Sequence, residues 1–324
     1  MSGGHRREFG CLLCGLVEDV RSDAGGYRRL LARWMGVNVL VPPEEALAAV
    51  VAEPEADDVR LHYAEAVEAD EPARATYIRC AVWRAALYAA WESRSGSVPA
   101  PAMRRATEFG IHATALERAH GEAWARPLLP HVLPVPAGPG YAYERGFVAH
   151  VRTSPTRYLG PLPTLTPVQH LDLVIETGEE RAALPEVLTS PHLASVRTLG
   201  LWGAGLTDTE AVAIAAAPHL GSCWWLNLAS NRIGEAGMTA LAAAPGWRRS
   251  LVIVEGNPAD PCRQWSGDLG PAAWISPLGE HLLRTHGPIP WVEVPFGGWR
   301  ISRHQPRRWQ HHLATTGGRH PAAG

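Results

Sequence analysis

The feature that most constrains the fold of this chain is a block of sequence that recurs every 27 or 28 residues. The block at 192–201 reads HLASVRTLGL, and the block at 219–228, 27 residues later, reads HLGSCWWLNL. A third copy at 165–173 has its Leu-x-Leu 28 residues upstream, and a fourth runs from Trp247 to Pro258. Such a period predicts a supersecondary unit that stacks on its copies, because one unit cannot bury its hydrophobic face alone.

The block resembles the leucine-rich repeat of the ribonuclease-inhibitor type, which Ran GTPase-activating proteins also use. The resemblance rests on the Leu-x-Leu core and on an asparagine three residues after its second leucine. Asn231 and Asn257 occupy that position, whereas Glu176 and Ala204 stand there in the other two copies. The resemblance implies a parallel sheet whose leucines point inward, a helix on the other side, and an asparagine ladder that bonds backbone groups in the turns.

Helical periodicity dominates the region upstream of the repeats. Apolar residues at positions i, i+3 and i+4 predict helices that begin near Pro42, near Asp57 and at Pro72, and a further helix between Met103 and Gly121. Seven prolines or glycines at 127–140 then predict an irregular linker, and the alternation at 143–151 predicts a strand.

Part of this helical region resembles the bacterial repeat-companion domain, a small helical module that typically precedes leucine-rich repeats. The matching runs are PEADDVRLHYAE at 54–65 and ARATYIR at 73–79, and the later YERGFV at 143–148 resembles an element common just before the repeats. The chain departs from the family pattern at Glu65, Ala66 and Ala81. The family has no defined biochemical function, so the resemblance implies a fold rather than a chemistry.

These patterns together predict an α+β chain in which a helical module caps a short leucine-rich-repeat solenoid with a parallel sheet. The predicted segments are an N-terminal extension at 1–40, the helical module at 41–126, a linker and capping strand at 127–160, about four repeats at 161–260, and a Trp-, Pro- and Arg-rich cap with a loose tail at 261–324.

The residues between the inward leucines are expected on the concave surface of such a solenoid. They are Gln169, His170, Asp172, Val174, Arg197, Thr198, Gly200, Trp202, Trp224, Trp225, Asn227, Ala229 and Val252. Three are tryptophans, a residue type favoured at the energetic centre of protein interfaces. The alternative is that one of the tryptophans packs under a loop or against the C-terminal segment. The candidate protein-binding residues are His170, Asp172, Arg197, Trp202, Trp224, Trp225 and Asn227, and Asn231 and Asn257 are the structural ladder.

Composition and motif searches argue against an enzyme. The chain contains no lysine, so all 30 basic residues are arginine, which excludes Walker A, Schiff-base and kinase-type sites. The sequence also contains no GxSxG, HExxH, GxGxxG or DxDxDG motif. We therefore expect no catalytic residues and no cofactor.

Cysteine usage and charge indicate the compartment. The five cysteines are odd in number and scattered, which is typical of a reduced cytoplasmic chain. Cys11 and Cys14 form a CxxC without a second half, so we expect no metal, although His5 leaves a zinc site open as an alternative. A start at Met35 is a further alternative. The net charge of −2 and the lack of an 18-residue apolar run predict no membrane partner.

The resulting hypothesis is a cytoplasmic, non-enzymatic bacterial scaffold or regulator that binds an unidentified protein partner through its concave strands. One alternative is a GTPase-activating-type regulator of a small GTPase, by analogy of repeat type alone. A second alternative, which we do not favour, is nucleic-acid binding through the tail, where five arginines and two tryptophans follow Glu293 and no acid does. The sequence identifies neither the partner nor the oligomeric state.

Overall fold

The structure is a computed structural model, and it describes residues 41–92, 100–136, 138–248, 250–263 and 274–293. The sequence predictions for the N-terminal extension, for Cys11, Cys14 and Met35, and for the arginine-rich tail lie outside these residues. The described chain is of the α+β class, as the sequence predicted, and divides into two compact units. One unit extends to Trp124 and includes Arg145–Phe147, and the other comprises Ala125–Glu144 and the chain from Val148.

The first unit is helical. Its helices are α1 (Pro43–Ala52), α2 (Asp57–Ala66), α3 (Pro72–Glu92) and α4 (Ala100–Ala125, whose last residue belongs to the second unit). Prolines begin α1 and α3, where their missing N–H costs no helical hydrogen bond, and Asp57 and Asp58 lie in the first turn of α2. The sequence pattern therefore located these helix starts, although α4 is longer than the predicted stretch from Met103 to Gly121.

Arg60 is the buried polar centre of the helical unit. It is fully buried, and its guanidinium donates to the carbonyl of Pro54 and, at 2.9 Å, to the carbonyl of Arg145. Its charge also lies 5.2 Å from the centre of the Phe147 ring. A buried charge is tolerated only when its hydrogen-bonding capacity is used, and these contacts meet that need.

The predicted strand at 143–151 is wrong in one respect, because the chain turns back within it. Strand β1 (Tyr141–Glu144) and strand β2 (Phe147–Thr153) are separated by Arg145 and Gly146, whose φ angles are 47° and 93°. These left-handed conformations make the tight turn of a hairpin. A Cβ at Gly146 would lie 2.9 Å from the Cα of Ile78, so glycine is required there for space as well as for backbone angle.

The second unit contains a six-stranded sheet in the order β1 to β6, with helices between consecutive strands from β2 onward. The elements after β2 are α5 (Pro155–Tyr158), α6 (Leu162–Leu165), β3 (His170–Leu173), α7 (Gly178–Thr189), β4 (Thr198–Gly200), α8 (Asp208–Ala215), β5 (Trp225–Asn227), α9 (Glu235–Ala243), β6 (Leu251–Ile253), β7 (Cys262–Arg263), β8 (Trp274–Ile275), α10 (Pro277–His286) and α11 (Pro290–Glu293). Short 3₁₀ helices cover Arg126–His131, Pro191–Ser195 and Pro245–Arg248, and the first of them lies in the predicted linker except for Arg126.

Strands β2 to β6 pair in parallel, and their register aligns one row of apolar residues. From β3 to β6, register partners are 28, 27 and 26 residues apart. The aligned row is Val151, Leu171, Leu199, Leu226 and Val252, and every member belongs to the main hydrophobic core of the unit. Val252 therefore faces the core, and its sequence-based placement on the concave surface is wrong.

The turns after the strands are satisfied in two different ways. The buried side chain of Asn231 donates to the carbonyls of Leu201 and Leu228 and accepts from the backbone N–H of Leu206. Asn257 makes the equivalent bonds in the turn after β6. Its side chain donates to the carbonyls of Leu228 and Val254 and accepts from the N–H of Ile233.

Where the sequence has Glu176 or Ala204 at this turn position, residues from a helix supply the hydrogen bonds instead. The backbone N–H groups of Glu176 and Thr177 donate to the carboxylate of Glu180, which with Thr177 forms a capping box at the start of α7. Arg181 donates to the carbonyl of Ala204 at 2.8 Å and pairs with Glu210, which caps α8. Within the described residues, no helix is long and apolar enough to cross a lipid bilayer.

Candidate protein-binding face

The residues that alternate with the core row lie on the opposite side of the sheet, which we call the outer strand face. Strand register aligns them in two rows. The first row is His150, His170, Thr198, Trp225 and Leu251, and the second is Arg152, Asp172, Gly200, Asn227 and Ile253. Four of the seven candidate residues, His170, Asp172, Trp225 and Asn227, are therefore on this face.

The half of the face formed by β2, β3 and β4 is polar, and its centre is His170. The Nε2 of His170 lies 2.8 Å from a carboxylate oxygen of Glu144, and its Nδ1 lies 2.9 Å from the hydroxyl of Thr198. Because the carboxylate only accepts, a neutral His170 donates from Nε2 and receives the proton of Thr198 at Nδ1. The imidazole is buried and held at both nitrogens, so it orients its neighbours rather than presenting an exposed ring, and its role in binding stays a prediction.

A second histidine–carboxylate pair lies beside the first. The Nε2 of His150 is 3.0 Å from a carboxylate oxygen of Asp172, and the rings of His150 and His170 have their centres 6.1 Å apart. A Cβ at Gly200 would lie 2.2 Å from the other carboxylate oxygen of Asp172. Glycine at this position therefore leaves the space that the Asp172 carboxylate occupies.

The half of the face formed by β5 and β6 is apolar. Trp225, Ala229, Leu251 and Ile253 form a buried cluster against which Trp224 packs. Trp225 is only 8% exposed, so it is a packing residue rather than the exposed aromatic that the sequence predicted. Asn227 accepts from the N–H of Ala229 at 3.0 Å, which commits its carbonyl oxygen to its own turn.

Trp202 is the candidate that the structure does expose. It lies two residues after the end of β4 and is 67% exposed, more than any other large hydrophobic residue of the described chain. The backbone N–H of the next residue, Gly203, donates to the carbonyl of Ala229 at 3.0 Å. This hydrogen bond joins the turn that carries Trp202 to the turn after β5. Arg197 and Trp224 precede β4 and β5 and are partly buried.

Sequence reasoning missed Glu144 and His150. Both belong to the hairpin strands before the first repeat, and only the sheet order shows that they extend the outer strand face. Both residues lie in the 143–151 stretch, whose alternation predicted a strand. The alternation did not show that the stretch contains two strands, or that β2 pairs with β3.

Cys80 and Cys223 are free cysteines, and both are buried. Burial raises the pKa of the Cys223 thiol to about 12 and that of Cys80 to about 11, so both thiols are protonated at neutral pH. Among the residues that the structure describes, no group of three or more His, Cys, Asp or Glu side chains could hold a metal ion. Comparisons with protein-family models, with curated proteins and with solved structures found no match for this chain.

Proposed function

We propose that this protein is a non-enzymatic, cytoplasmic scaffold or regulator of the leucine-rich-repeat type that binds a partner protein through the outer strand face. Under this proposal the outer strand face is the concave surface of a short solenoid, and the helical unit is of the repeat-companion type. The observation that carries the proposal is Trp202, which is 67% exposed just beyond strand β4 of the parallel sheet.

The energetics of protein recognition support this role for Trp202. A single tryptophan that enters a pocket on a partner commonly contributes about 2 kcal/mol or more to binding. The indole brings a large contact area with few rotatable bonds, so little conformational entropy is lost on binding. The backbone hydrogen bond from Gly203 to Ala229 restrains the turn next to Trp202, which reduces the ordering that binding requires.

The polar half of the face complements this anchor. Glu144 and Asp172 are partly exposed carboxylates, each oriented by a histidine within 3.0 Å. Charges held in one geometry by neighbours favour partners whose donors match them, which gives specificity more than raw affinity. The cytoplasmic location is supported by Cys80 and Cys223, which are buried thiols rather than members of a disulfide.

The test is affinity capture with the full-length chain, followed by measurement of the dissociation constant of the captured partner. Trp202→Ala is expected to weaken binding by about 30-fold, which corresponds to about 2 kcal/mol. The matched control is Val212→Ala on α8, which removes another exposed apolar side chain of the same unit. Both variants should show the circular dichroism of the wild type.

The variant set is restricted to Trp202 because replacing Trp225 as well would remove part of a packed cluster. If the partner binds Trp202→Ala as tightly as the wild type while the Val212→Ala control also binds, the face is not the binding surface. A partner that proves to be a small GTPase with accelerated turnover would favour the GTPase-activating alternative instead.

A further inference from the structure

The turn that carries Trp202 lies beside two arginine side chains. This turn covers 202–205, and its last residue is Gly205, whose φ angle is 64°. A Cβ at Gly205 would lie 3.1 Å from Nη2 of Arg181 and 3.7 Å from Nη2 of Arg232. Two guanidinium groups are therefore close to the backbone of the turn, one from helix α7 and one from the turn after β5.

Of these two arginines, only Arg181 is engaged by other groups in the part of the chain that the structure describes. Its Nη1 donates to a carboxylate oxygen of Glu210 at 3.1 Å, and its Nη2 donates to the carbonyl of Ala204 at 2.8 Å. Arg232 is exposed, and its guanidinium makes no hydrogen bond or ion pair with any described residue. Arg181 therefore holds the turn, whereas the described fold does not use the guanidinium donors of Arg232.

The carboxylates of helix α8, which follows this turn, are committed to other donors. Glu210 accepts from the backbone N–H and from the hydroxyl of Thr207, both at 2.7 Å. Asp208 accepts at 2.6 Å and 3.0 Å from two backbone N–H groups at the start of α9. These acids serve to cap helices, so neither of them neutralises Arg232 through a direct contact.

Trp202 and Arg232 together specify the chemistry of a matching ligand. Trp202 is 67% exposed and offers a large apolar surface. A guanidinium binds a carboxylate with two parallel N–H donors, a geometry that no uncharged group matches as well. A segment of a partner protein that places aspartate or glutamate next to an apolar side chain satisfies both groups at once.

A nucleic acid fits this turn less well than an acidic segment of protein. Binding to a phosphate backbone depends on many basic contacts along the strand. At this turn Arg181 is already engaged, and Asp208 and Glu210 place negative charge in the first turn of the helix that follows. A single unengaged guanidinium therefore favours one carboxylate rather than a run of phosphates.

We infer that the protein that binds Trp202 presents an acidic side chain to Arg232, which makes Arg232 a specificity-determining residue of the binding surface. This inference rests on the proposed function, because it names the chemistry of the partner that Trp202 anchors. Trp202 supplies most of the affinity, and Arg232 discriminates between partners that carry the acid and partners that lack it. The two residues belong to different turns, so each can be replaced without removing the other.

The test uses the full-length protein and a panel of paired synthetic peptides. Each acidic peptide places aspartate or glutamate next to leucine or phenylalanine, and its counterpart has asparagine or glutamine at the same places. Fluorescence anisotropy of the labelled peptides measures the dissociation constant of both members at about 0.05 M salt. The acidic members that bind best should bind about tenfold more tightly than their amide counterparts. This preference should shrink at about 0.5 M salt, because added ions screen the exposed charge of Arg232.

Variants of Arg232 show whether this side chain selects the acid. Arg232→Gln should weaken binding of the acidic peptides by about tenfold, to the level of the amide peptides. Arg232→Lys keeps the charge without the paired donors and should keep part of the preference. The matched control is Arg284→Gln, which removes an exposed arginine from α10 and should behave like the wild type. The backbone N–H of residue 232 donates to the carbonyl of Leu206 whatever the side chain, so all variants should keep the wild-type circular dichroism.

A third variant, Trp202→Ala, separates this inference from the proposed function. It should weaken both members of each pair by the same factor, because the indole contacts the apolar side chain that they share. If Trp202→Ala weakens binding but the wild type shows no acid preference, the inference is wrong and the proposed function stands. If the preference depends on Arg232 while Trp202→Ala weakens neither member, the charge assignment is supported and the proposed role of Trp202 is wrong.

Three further results would overturn the inference. The acid preference survives Arg232→Gln, which would place the selecting group elsewhere on the molecule. No acidic peptide binds the wild type at concentrations up to about 1 mM. A single-stranded DNA oligonucleotide binds more tightly than every acidic peptide and loses affinity in Arg232→Gln, which would assign Arg232 to phosphate instead.

Discussion

The strand–helix units built on β3 and β4, which we call the first pair, have different outer faces and turns from those built on β5 and β6, the second pair. Both pairs place one residue per strand in the shared core row, Leu171 and Leu199 in the first pair and Leu226 and Val252 in the second. The first pair carries histidine–carboxylate hydrogen bonds on its outer strand face, whereas the second carries a buried apolar cluster.

The two pairs also differ in the side chains that hydrogen-bond to their turns. The second pair satisfies its turns with Asn231 and Asn257, while the first uses Glu180 and Arg181, both from helix α7. The comparison teaches that the core row sets the strand–helix plan, and that the outer face and the turns can then be built from quite different chemistry. It also predicts that the two pairs are stabilised by forces of different size and pH dependence.

The largest expected effect is the loss of the indole in the apolar half. Trp225→Ala should lower the free energy of unfolding by about 3 to 5 kcal/mol, because it removes a large buried side chain and leaves a cavity. His170→Ala, at the same register position of the first pair, should cost only about 1 to 2 kcal/mol, because it removes hydrogen bonds rather than core volume. Urea unfolding of both variants measures the difference, and equal costs would contradict the division into a packed and a hydrogen-bonded half.

The next effect concerns the turns. Asn231→Ala should lower the free energy of unfolding by about 2 to 4 kcal/mol, because several buried backbone groups lose their partner at once. Arg181→Ala removes the corresponding support from the first pair and should cost less than about 1 kcal/mol, since its guanidinium is partly exposed to water. Thermal unfolding followed by circular dichroism measures the loss of stability in both variants. A larger loss in Arg181→Ala than in Asn231→Ala would contradict the prediction.

The smallest effect is a response to acid that belongs to the first pair. Burial acts to raise the pKa of Glu210, but hydrogen bonds from Thr207 and Arg181 outweigh it and hold the pKa below its ordinary value of 4.5. Burial opposes a lower pKa at Glu180 as well, and there hydrogen bonds led by the backbone N–H groups of Glu176 and Thr177 prevail. Each ionised carboxylate therefore stabilises the fold above pH 4.5, and this contribution is lost as the pH falls through the lowered pKa.

The measurement is the free energy of unfolding in urea between about pH 3 and pH 6. Glu180→Gln with Glu210→Gln should flatten the decline of stability below pH 4.5. The control is Glu179→Gln with Glu186→Gln, which removes two carboxylates from α7 and leaves both capping boxes intact. A wild-type slope in the first double variant would show that these caps do not contribute to acid sensitivity.

Some of these features follow from local sequence and were predicted from it. The Leu-x-Leu period predicted the core leucines, because strand residues alternate between two sides and only one side of each unit can be buried against its neighbours. Asn231 and Asn257 were predicted to bond turn backbone for a similarly local reason, since an asparagine at a fixed place in a turn has only nearby groups to bond. The helix starts at Pro43 and Pro72 depend on the missing N–H of proline, which is equally local.

Other features were decided only when distant segments came together. Glu144 and His170 are 26 residues apart, and their pairing requires the hairpin of β1 and β2 to join the sheet beside β3. The sequence left the burial of one tryptophan open as an alternative but did not identify Trp225, because exposure depends on what covers a face rather than on the strand that forms it. The sequence by itself therefore determined the repeating core and its turns, through short-range alternation and hydrogen bonding. Only the tertiary structure decided which outer residues are exposed, since that depends on contacts between residues far apart in the chain.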